Sequence, residues 1–391
     1  MNYVIIGNGV AGTTAAEHIR KLDSEGKITI ISDEKYPFYS RIRLIDFLAG
    51  TVDLEQIVIK KDDWYQENQI ELILNDRAIE IDTDKNFVKT QAGLQIDYDK
   101  LLLATGANSF VPPIPGAEKI GAFTLRRFKD AEAIKEYSKD EPKSVVVIGG
   151  GVLGLEAGNA LRKSGHSITV IEAMPRLLPR QMDPEGSEIL KQQMENMGFT
   201  FYIGRMTKEI TGGEVVTRVL LDDGTEINCD MIIISAGVRP ELTLANQLKL
   251  KVDKGVVVND NLGTELPDIY CAGDLINHKG RLYGIWPAAE KQGEIAGINM
   301  ASGKATYEGT TSSNVLKVVG IDLVSIGEID AEGKFESSVE QDPKKFIYKK
   351  LVFENNKIIG AILYGDKKNW LKIKKAIESK QELNEELKAL I

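Results

Sequence analysis

The chain has 391 residues, enough for roughly two or three domains, and its 42% hydrophobic and 27% charged content is that of an ordinary globular protein. A formal net charge of −9 argues against general nucleic-acid binding, which needs a basic surface. The two cysteines, Cys229 and Cys271, lie far apart with no CxxC partner, which excludes a disulfide framework, an iron–sulfur cluster and a cysteine-held metal site.

Apolar residues begin at Tyr3 with no positively charged leader, so the N-terminus predicts a first strand and not a signal peptide. The longest apolar runs are broken by glycines before the roughly 18 residues of a membrane span. The expectation is a cytoplasmic protein. The first strand, Tyr3–Ile6, opens the stretch NYVIIGNGVAGTTA from Asn2 to Ala15, and a helix follows over Thr13–Ile19. The design returns as SVVVIGGGVLGLEA from Ser144 to Ala157, with a strand over Val145–Ile148 and a helix over Leu155–Leu161. Continuous β-branched runs of this kind suit strands buried on both faces of a parallel sheet.

In each stretch the first two glycines permit a tight turn and close backbone approach to a pyrophosphate. The third lets the helix pack on the strand, and the helix N-terminus faces the anion. The candidate contacts are Gly7, Gly9, Val10, Ala11 and Gly12 in the first cradle, and Gly149, Gly151, Leu153 and Gly154 in the second. An acid for the ribose is due about 20 residues on. After the strand Ser167–Ile171 it is Glu172, whose charge would repel a 2′-phosphate and favours NADH over NADPH, although Arg176 lies nearby in sequence. After the strand Lys27–Ile31 the expected position is Ser32, and Asp33 and Glu34 follow. One of these two acids is expected to hold the ribose, and the sequence does not choose between them.

A third signal is DIYCAGDL from Asp268 to Leu275, an apolar strand ending in Ala-Gly-Asp, with LLLATG from Leu101 to Gly106 and IIISAG from Ile232 to Gly237 ending two earlier strands in a similar way. On these motifs the whole chain resembles the two-dinucleotide-fold flavoprotein family. The resemblance implies an α/β protein with two Rossmann-like, glutathione-reductase-like dinucleotide-binding domains and a small α+β C-terminal domain. It implies tightly bound FAD in the first cradle and NADH as co-substrate in the second. FAD would be held by Gly273 and Asp274, with Thr105 and Gly106 closing the pyrophosphate pocket and Gly237 on the NADH side. Domain limits follow as 1–114 with 240–311 for FAD, 115–239 inserted for NADH, and 312–391 as a C-terminal interface domain.

The electron acceptor is the open question. Many relatives use a redox-active cysteine after the second strand, but here the segment reads YPFYSRIRLIDFLAG from Tyr36 to Gly50. Thiol-dependent disulfide, coenzyme A disulfide and peroxide chemistry are therefore discounted, and both cysteines read as core residues. In cysteine-free relatives a Tyr-x-Arg sequence here puts an arginine on the FAD phosphates, which implies that role for Arg41. Arg43 reads as a helix cap or a solvated residue. Glu156 matches a family glutamate near the nicotinamide, and an ordinary helix salt bridge is an equal alternative. No histidine is assigned a catalytic role.

WPAAEKQGEIAGINMAS from Trp286 to Ser302 and LKVVGIDLVSIG from Leu316 to Gly327 are similar to sequences in NADH:rubredoxin oxidoreductases and in the NADH-oxidising part of assimilatory nitrite reductases. The first would place a helix N-terminus, begun by Trp286, at the flavin edge. The nitrite reductase reading would require sirohaem or iron–sulfur cysteines that this sequence does not supply. Between Pro343 and Lys375 there are ten lysines against two acids, Glu354 and Asp366. A hairpin over Lys345–Phe353 and Ile358–Tyr364, turning at Asn355–Asn356, should precede a helix with Trp370, Ile373 and Ile377 on its apolar face. Lys344, Lys345, Lys349, Lys350, Lys367 and Lys368 are candidate docking residues for an acidic carrier such as rubredoxin, against the plainer reading of a solvated face. The expectation is an NADH-dependent flavoprotein reductase of rubredoxin or a similar carrier. The alternatives are an NADH oxidase reducing oxygen directly and an NADH-binding sensor or assembly module.

Overall fold

A run of β-branched residues satisfies its backbone best between two other strands, and Asn2–Ile6 does so. The computed structural model describes residues 1–311, 313–382, 384 and 387. Asn2–Ile6 is central in a five-stranded parallel sheet, between Lys27–Ile31 and Lys100–Leu103, with Ile70–Ile73 and Ile269–Cys271 at the edges. A second parallel sheet repeats the plan: Ser144–Ile148 lies between Ser167–Glu172 and Met231–Ile234, with Phe199–Ile203 and Ala122–Thr124 outermost. The register repeats as well. Asn2 faces Lys27 and Ile6 faces Ile31, as Ser144 faces Ser167 and Ile148 faces Ile171.

The chain forms two compact units, Met1–Ser40 with Asp53–Asn108 and Val238–Thr310, and Arg41–Val52 with Ser109–Gly237 and Thr311–Ile391. Each contains one of the parallel sheets. The two cradle helices run Val10–Leu22 and Val152–Lys163, starting earlier than their apolar residues suggest because extended Gly9 and Gly151 act as their N-caps. In the first unit the helix Trp286–Met300 packs against Val10–Leu22 almost backbone to backbone. A side chain at Gly293 or Gly297 would run into the carbonyl oxygen of Ala11 or Ala15.

In the second unit, the C-terminal part is an antiparallel sheet ordered Ser313–Val318, Ile321–Gly327, Lys357–Tyr364, Ile347–Glu354 and Glu336–Asp342. Its hairpin turns at Asn355 and Asn356, which sit at φ +49° and +59°, left-handed values that asparagine tolerates. The helix Trp370–Glu378 covers one face, burying Ile373 and Ala376 with Val324, Leu351 and Leu363. The other face meets the helix Pro184–Asn196, where the Tyr364 hydroxyl donates to Gln193 Oε1 at 2.6 Å.

This second cover corrects part of the lysine expectation. Adjacent strand residues point to opposite faces, and Lys350 points inward, buried against Asp183 at 3.0 Å. Its Nζ also donates to the Asp330 carbonyl oxygen at 3.0 Å. Lys349 is largely covered and paired with Asp366 at 2.9 Å, and Lys367 is paired with Asp322 at 2.9 Å. Lys344, Lys345 and Lys368 are exposed. Among the described residues no helix is long and apolar enough to cross a membrane.

Candidate functional site

Of the three motif glycines in each cradle, the first and third are closed and the middle one is open. Gly7, at φ +118°, has no room for a side chain, because a Cβ would strike the Ala104 carbonyl oxygen; Gly149, at φ +117°, meets Ser235 in the same way. A Cβ on Gly12 or Gly154 would strike the carbonyl oxygen of Gly7 or Gly149. At Gly9 and Gly151 a Cβ would meet nothing within 4 Å. The middle glycine is thus where a ligand's backbone contact has space, in front of a helix N-terminus whose first N–H groups lack intrahelical partners.

The first cradle also holds an unmatched donor. Asn8 Oδ1 accepts from the Tyr65 hydroxyl at 2.9 Å and from Thr13 Oγ1 at 3.3 Å, while Asn8 Nδ2 is buried without a partner. A buried orphan donor beside an open glycine fits an anionic ligand such as the FAD diphosphate. In the same unit Gly273 sits at φ +85°, so close to the cradle that a Cβ on it would lie 3.2 Å from Ala11 Cβ. The structure therefore brings Gly7–Gly12 and Gly273–Asp274 together. Trp286 begins the helix that follows, its ring 5.7 Å from that of Phe38.

Glu34 Oε2 accepts from the Tyr39 hydroxyl at 2.5 Å, whereas Asp33 is exposed. Thr105 Oγ1 donates to the Glu241 carbonyl oxygen at 3.1 Å, and the Glu241 N–H returns a bond to the Gly106 carbonyl oxygen at 2.9 Å. Glu241 thus holds the Thr105–Gly106 turn, and Asn8, Tyr65 and Gln292 support the same region. Sequence reasoning missed all four. Only Gln292 left a signal, as an amide inside the small-residue run of its helix. Arg41, half-buried, starts the short turn Arg41–Arg43 in the 41–52 segment of the second unit, and Arg43 pairs with Asp46 at 3.4 Å.

At the second cradle Glu172 is buried at the end of its strand. Its two carboxylate oxygens accept from the N–H groups of Gly150 and Met174, each at 2.6 Å. Each oxygen retains a further lone pair for a ribose hydroxyl. Arg176 is occupied elsewhere, its Nε and Nη2 donating to the carbonyl oxygens of Met182 and Pro179, both at 3.1 Å. Arg205 is paired with Asp223 at 3.1 Å. Gly237, at φ +95°, has open space at its Cα, and Leu153 is exposed beside Gly151.

Among the described residues, Glu156 makes a hydrogen bond beyond its own helix. Its Oε1 accepts from the N–H of Val319 at 2.7 Å, in the turn between the first two strands of the C-terminal sheet. Burial is the main cause that raises its carboxyl above the usual glutamate range. Both thiols are buried; burial pushes Cys229 up to about 12 and raises Cys271 further, so neither is a thiolate at neutral pH.

Residues 1–293 match the family model described as pyridine nucleotide-disulphide oxidoreductase, and residues 313–381 match that of the rubredoxin NAD+ reductase C-terminal domain. A nitrite reductase [NAD(P)H] of Bacillus subtilis is 36% identical over 390 residues, covering 99% of this chain and 48% of the relative. The NADH-rubredoxin oxidoreductase of Clostridium acetobutylicum is 33% identical over 377 residues, covering 96% and 94%. The crystal structure of NADH:rubredoxin oxidoreductase from that organism superposes with a TM-score of 0.82 at 31% identity, covering 98% of this chain and 96% of the other. The chain spans about half the length of several nitrite and nitrate reductase relatives. With its two nucleotide sheets and its C-terminal sheet, the chain belongs to the pyridine nucleotide-disulphide oxidoreductase family, enzymes that use FAD and NADH.

Proposed function

We propose that this chain is an FAD-dependent NADH oxidoreductase that delivers electrons, without a protein thiol, to a small one-electron iron–sulfur carrier of the rubredoxin type. The observation that carries the reading is the pairing of two open-centred cradles with two thiols sealed in the core. The expected domain limits, 1–114 with 240–311 for FAD, 115–239 for NADH and 312–391 for the carrier interface, belong to the same proposal, as does a cytoplasmic setting. Bound flavin would supply the step from two-electron hydride chemistry to one-electron release.

The protein's own groups bind and orient. Gly7, Gly9, Val10, Ala11, Gly12 and Asn8 take the FAD diphosphate, with Arg41 as its cation. Asp33 or Glu34 takes the ribose, and Gly273, Asp274, Thr105 and Gly106 close around the ribityl and pyrophosphate. The N-terminus of the Trp286 helix stabilises negative charge at the flavin edge. Gly149, Gly151, Leu153, Gly154 and Gly237 receive NADH, Glu172 reads its adenosine ribose, and Glu156 stands near the nicotinamide. Lys344, Lys345 and Lys368, joined by exposed Lys372 and Lys375, steer the acidic carrier.

Anaerobic NADH oxidation, measured with and without rubredoxin and with ferricyanide as a control, tests the proposal. Fast rubredoxin-dependent turnover is expected, with salt-sensitive rates. Ferricyanide turnover with none on rubredoxin would overturn the carrier assignment, and rapid peroxide formation in air would replace it with direct oxygen reduction. Reversal of Lys368, Lys372 and Lys375 to glutamate should raise the KM for the carrier and leave the KM for NADH unchanged.

A further inference from the structure

We infer that Gln292 is a positioning residue for FAD, acting through the Gly273–Asp274 turn; this rests on FAD occupying the first cradle. Gln292 lies inside the helix Trp286–Met300 and is 1% exposed. An amide buried that deeply among Ala289, Gly293 and Ala296 is costly unless its bonds are made. Both ends are used. Oε1 accepts from the Gly273 N–H at 2.9 Å, and Nε2 donates to the Tyr307 hydroxyl at 3.2 Å. The Gly273 N–H can only donate, so it fixes which end of the amide faces the turn.

Tyr307 is itself held rigidly. Its N–H donates to the Asp260 carbonyl oxygen at 2.7 Å, its hydroxyl meets Thr310 Oγ1 at 2.8 Å, and its ring lies 4.9 Å from that of buried His278. The consequence falls on the Ala272–Gly273 peptide. Ala272 is extended at φ −151° and ψ 160°, and Gly273 is left-handed at φ +85°. Glycine at that φ leaves the preceding peptide free to flip, which would redirect Asp274 as it leaves the turn. The Gln292 carbonyl pins that peptide from behind, while the front of Gly273 faces Ala11 of the cradle.

The test is FAD titration of the apoprotein by flavin fluorescence, combined with the visible absorption spectrum of the bound flavin and the apoprotein Tm. Q292L removes both bonds and should weaken FAD binding about tenfold or more and change the flavin band shape. Q292E keeps an acceptor for Gly273 and can accept from the Tyr307 hydroxyl, so it should restore the wild-type spectrum. A Q292L protein that changes only in Tm, with FAD affinity within about twofold and an unchanged spectrum, would overturn the inference. If Q292L does not fold, Q292M carries the test: its unbranched, flexible side chain fills the same space and removes the acceptor for the Gly273 N–H, and an unchanged affinity and spectrum would refute the role. Wild-type apoprotein that fails to bind FAD would instead sink the assignment of the first cradle.

Discussion

Lys350→Met probes the buried contact between the C-terminal sheet and the helix Pro184–Asn196. The ammonium lies 3.0 Å from Asp183 Oδ2 and 3.0 Å from the Asp330 carbonyl oxygen, with both ionic partners buried. Methionine keeps an unbranched, flexible side chain one atom shorter and removes the charge. Among the described residues, the Asp183 carboxylate would then retain the Tyr348 hydroxyl at 2.6 Å and the Gly186 N–H at 3.0 Å. Breaking a buried pair by removing one partner costs about 3–5 kcal/mol, and the extra apolar burial of methionine offsets about 1 kcal/mol. A net loss of about 3 kcal/mol corresponds to a fall in Tm of roughly 6–12 °C for a cooperative unit of this size. Asp183→Asn in the same background removes the nearer of the two stranded charges, the other being Asp330, whose Oδ2 lies 3.8 Å from the ammonium, and keeps a good cap for the helix, so the double variant should recover about half of the loss. Calorimetry of the two single variants and the double gives the coupling energy. If Lys350→Met unfolds within about 2 °C of the wild type, the argument that this pair holds the sheet to the helix is wrong.

The open and closed glycines separate binding from folding. Gly151→Ala should cost no more than about 1 kcal/mol, the difference between glycine and alanine at an N-cap, and raise the KM for NADH about tenfold, whereas Gly149→Ala should cost about 3 kcal/mol or more in stability by driving a methyl into Ser235. Glu172→Ala should reduce the ratio of kcat/KM for NADH over NADPH about tenfold, measured with ferricyanide, because it removes a carboxylate that accepts from ribose and repels phosphate. Glu156→Gln keeps an acceptor for Val319 and never ionises. Since the folded-state pKa of Glu156 is raised, its contribution to stability is full below the ordinary glutamate range and is lost as pH rises through the raised value. The variant should therefore have the higher Tm at pH 8, and the difference should vanish near about pH 4. A constant difference across that range would refute the protonation argument.

What could be read in advance was local. Val145–Ile148 running into Gly149 announces a strand, a turn and a helix within about a dozen residues, and the structure has all three. Glu172 followed from the spacing after that turn, and its carboxylate lies against the cradle at Gly150. The support of these motifs comes from residues distant in sequence. Glu241 reaches Thr105 and Gly106 from 135 or more positions away, a separation for which no period or spacing gives a sign. The lysines show a different gap. Alternation along Ile347–Glu354 required Lys349 and Lys350 to face opposite ways, but only the tertiary structure reveals that the sheet is covered on both faces. A charge run read as a solvated patch therefore included a residue that is part of the interior.

The two sealed cysteines carry a consequence for durability. A reductase whose flavin can meet oxygen produces peroxide beside itself, and peroxide attacks thiolates, taking them through sulfenic to irreversible sulfinic and sulfonic acids. With Cys229 and Cys271 both buried and protonated, that route to inactivation has no entry point on this chain. The same feature gives the experimenter a clean background. A single cysteine introduced on the surface of this chain, at exposed Lys368 for example, would stand apart from its two buried thiols and could be labelled without first removing either of them.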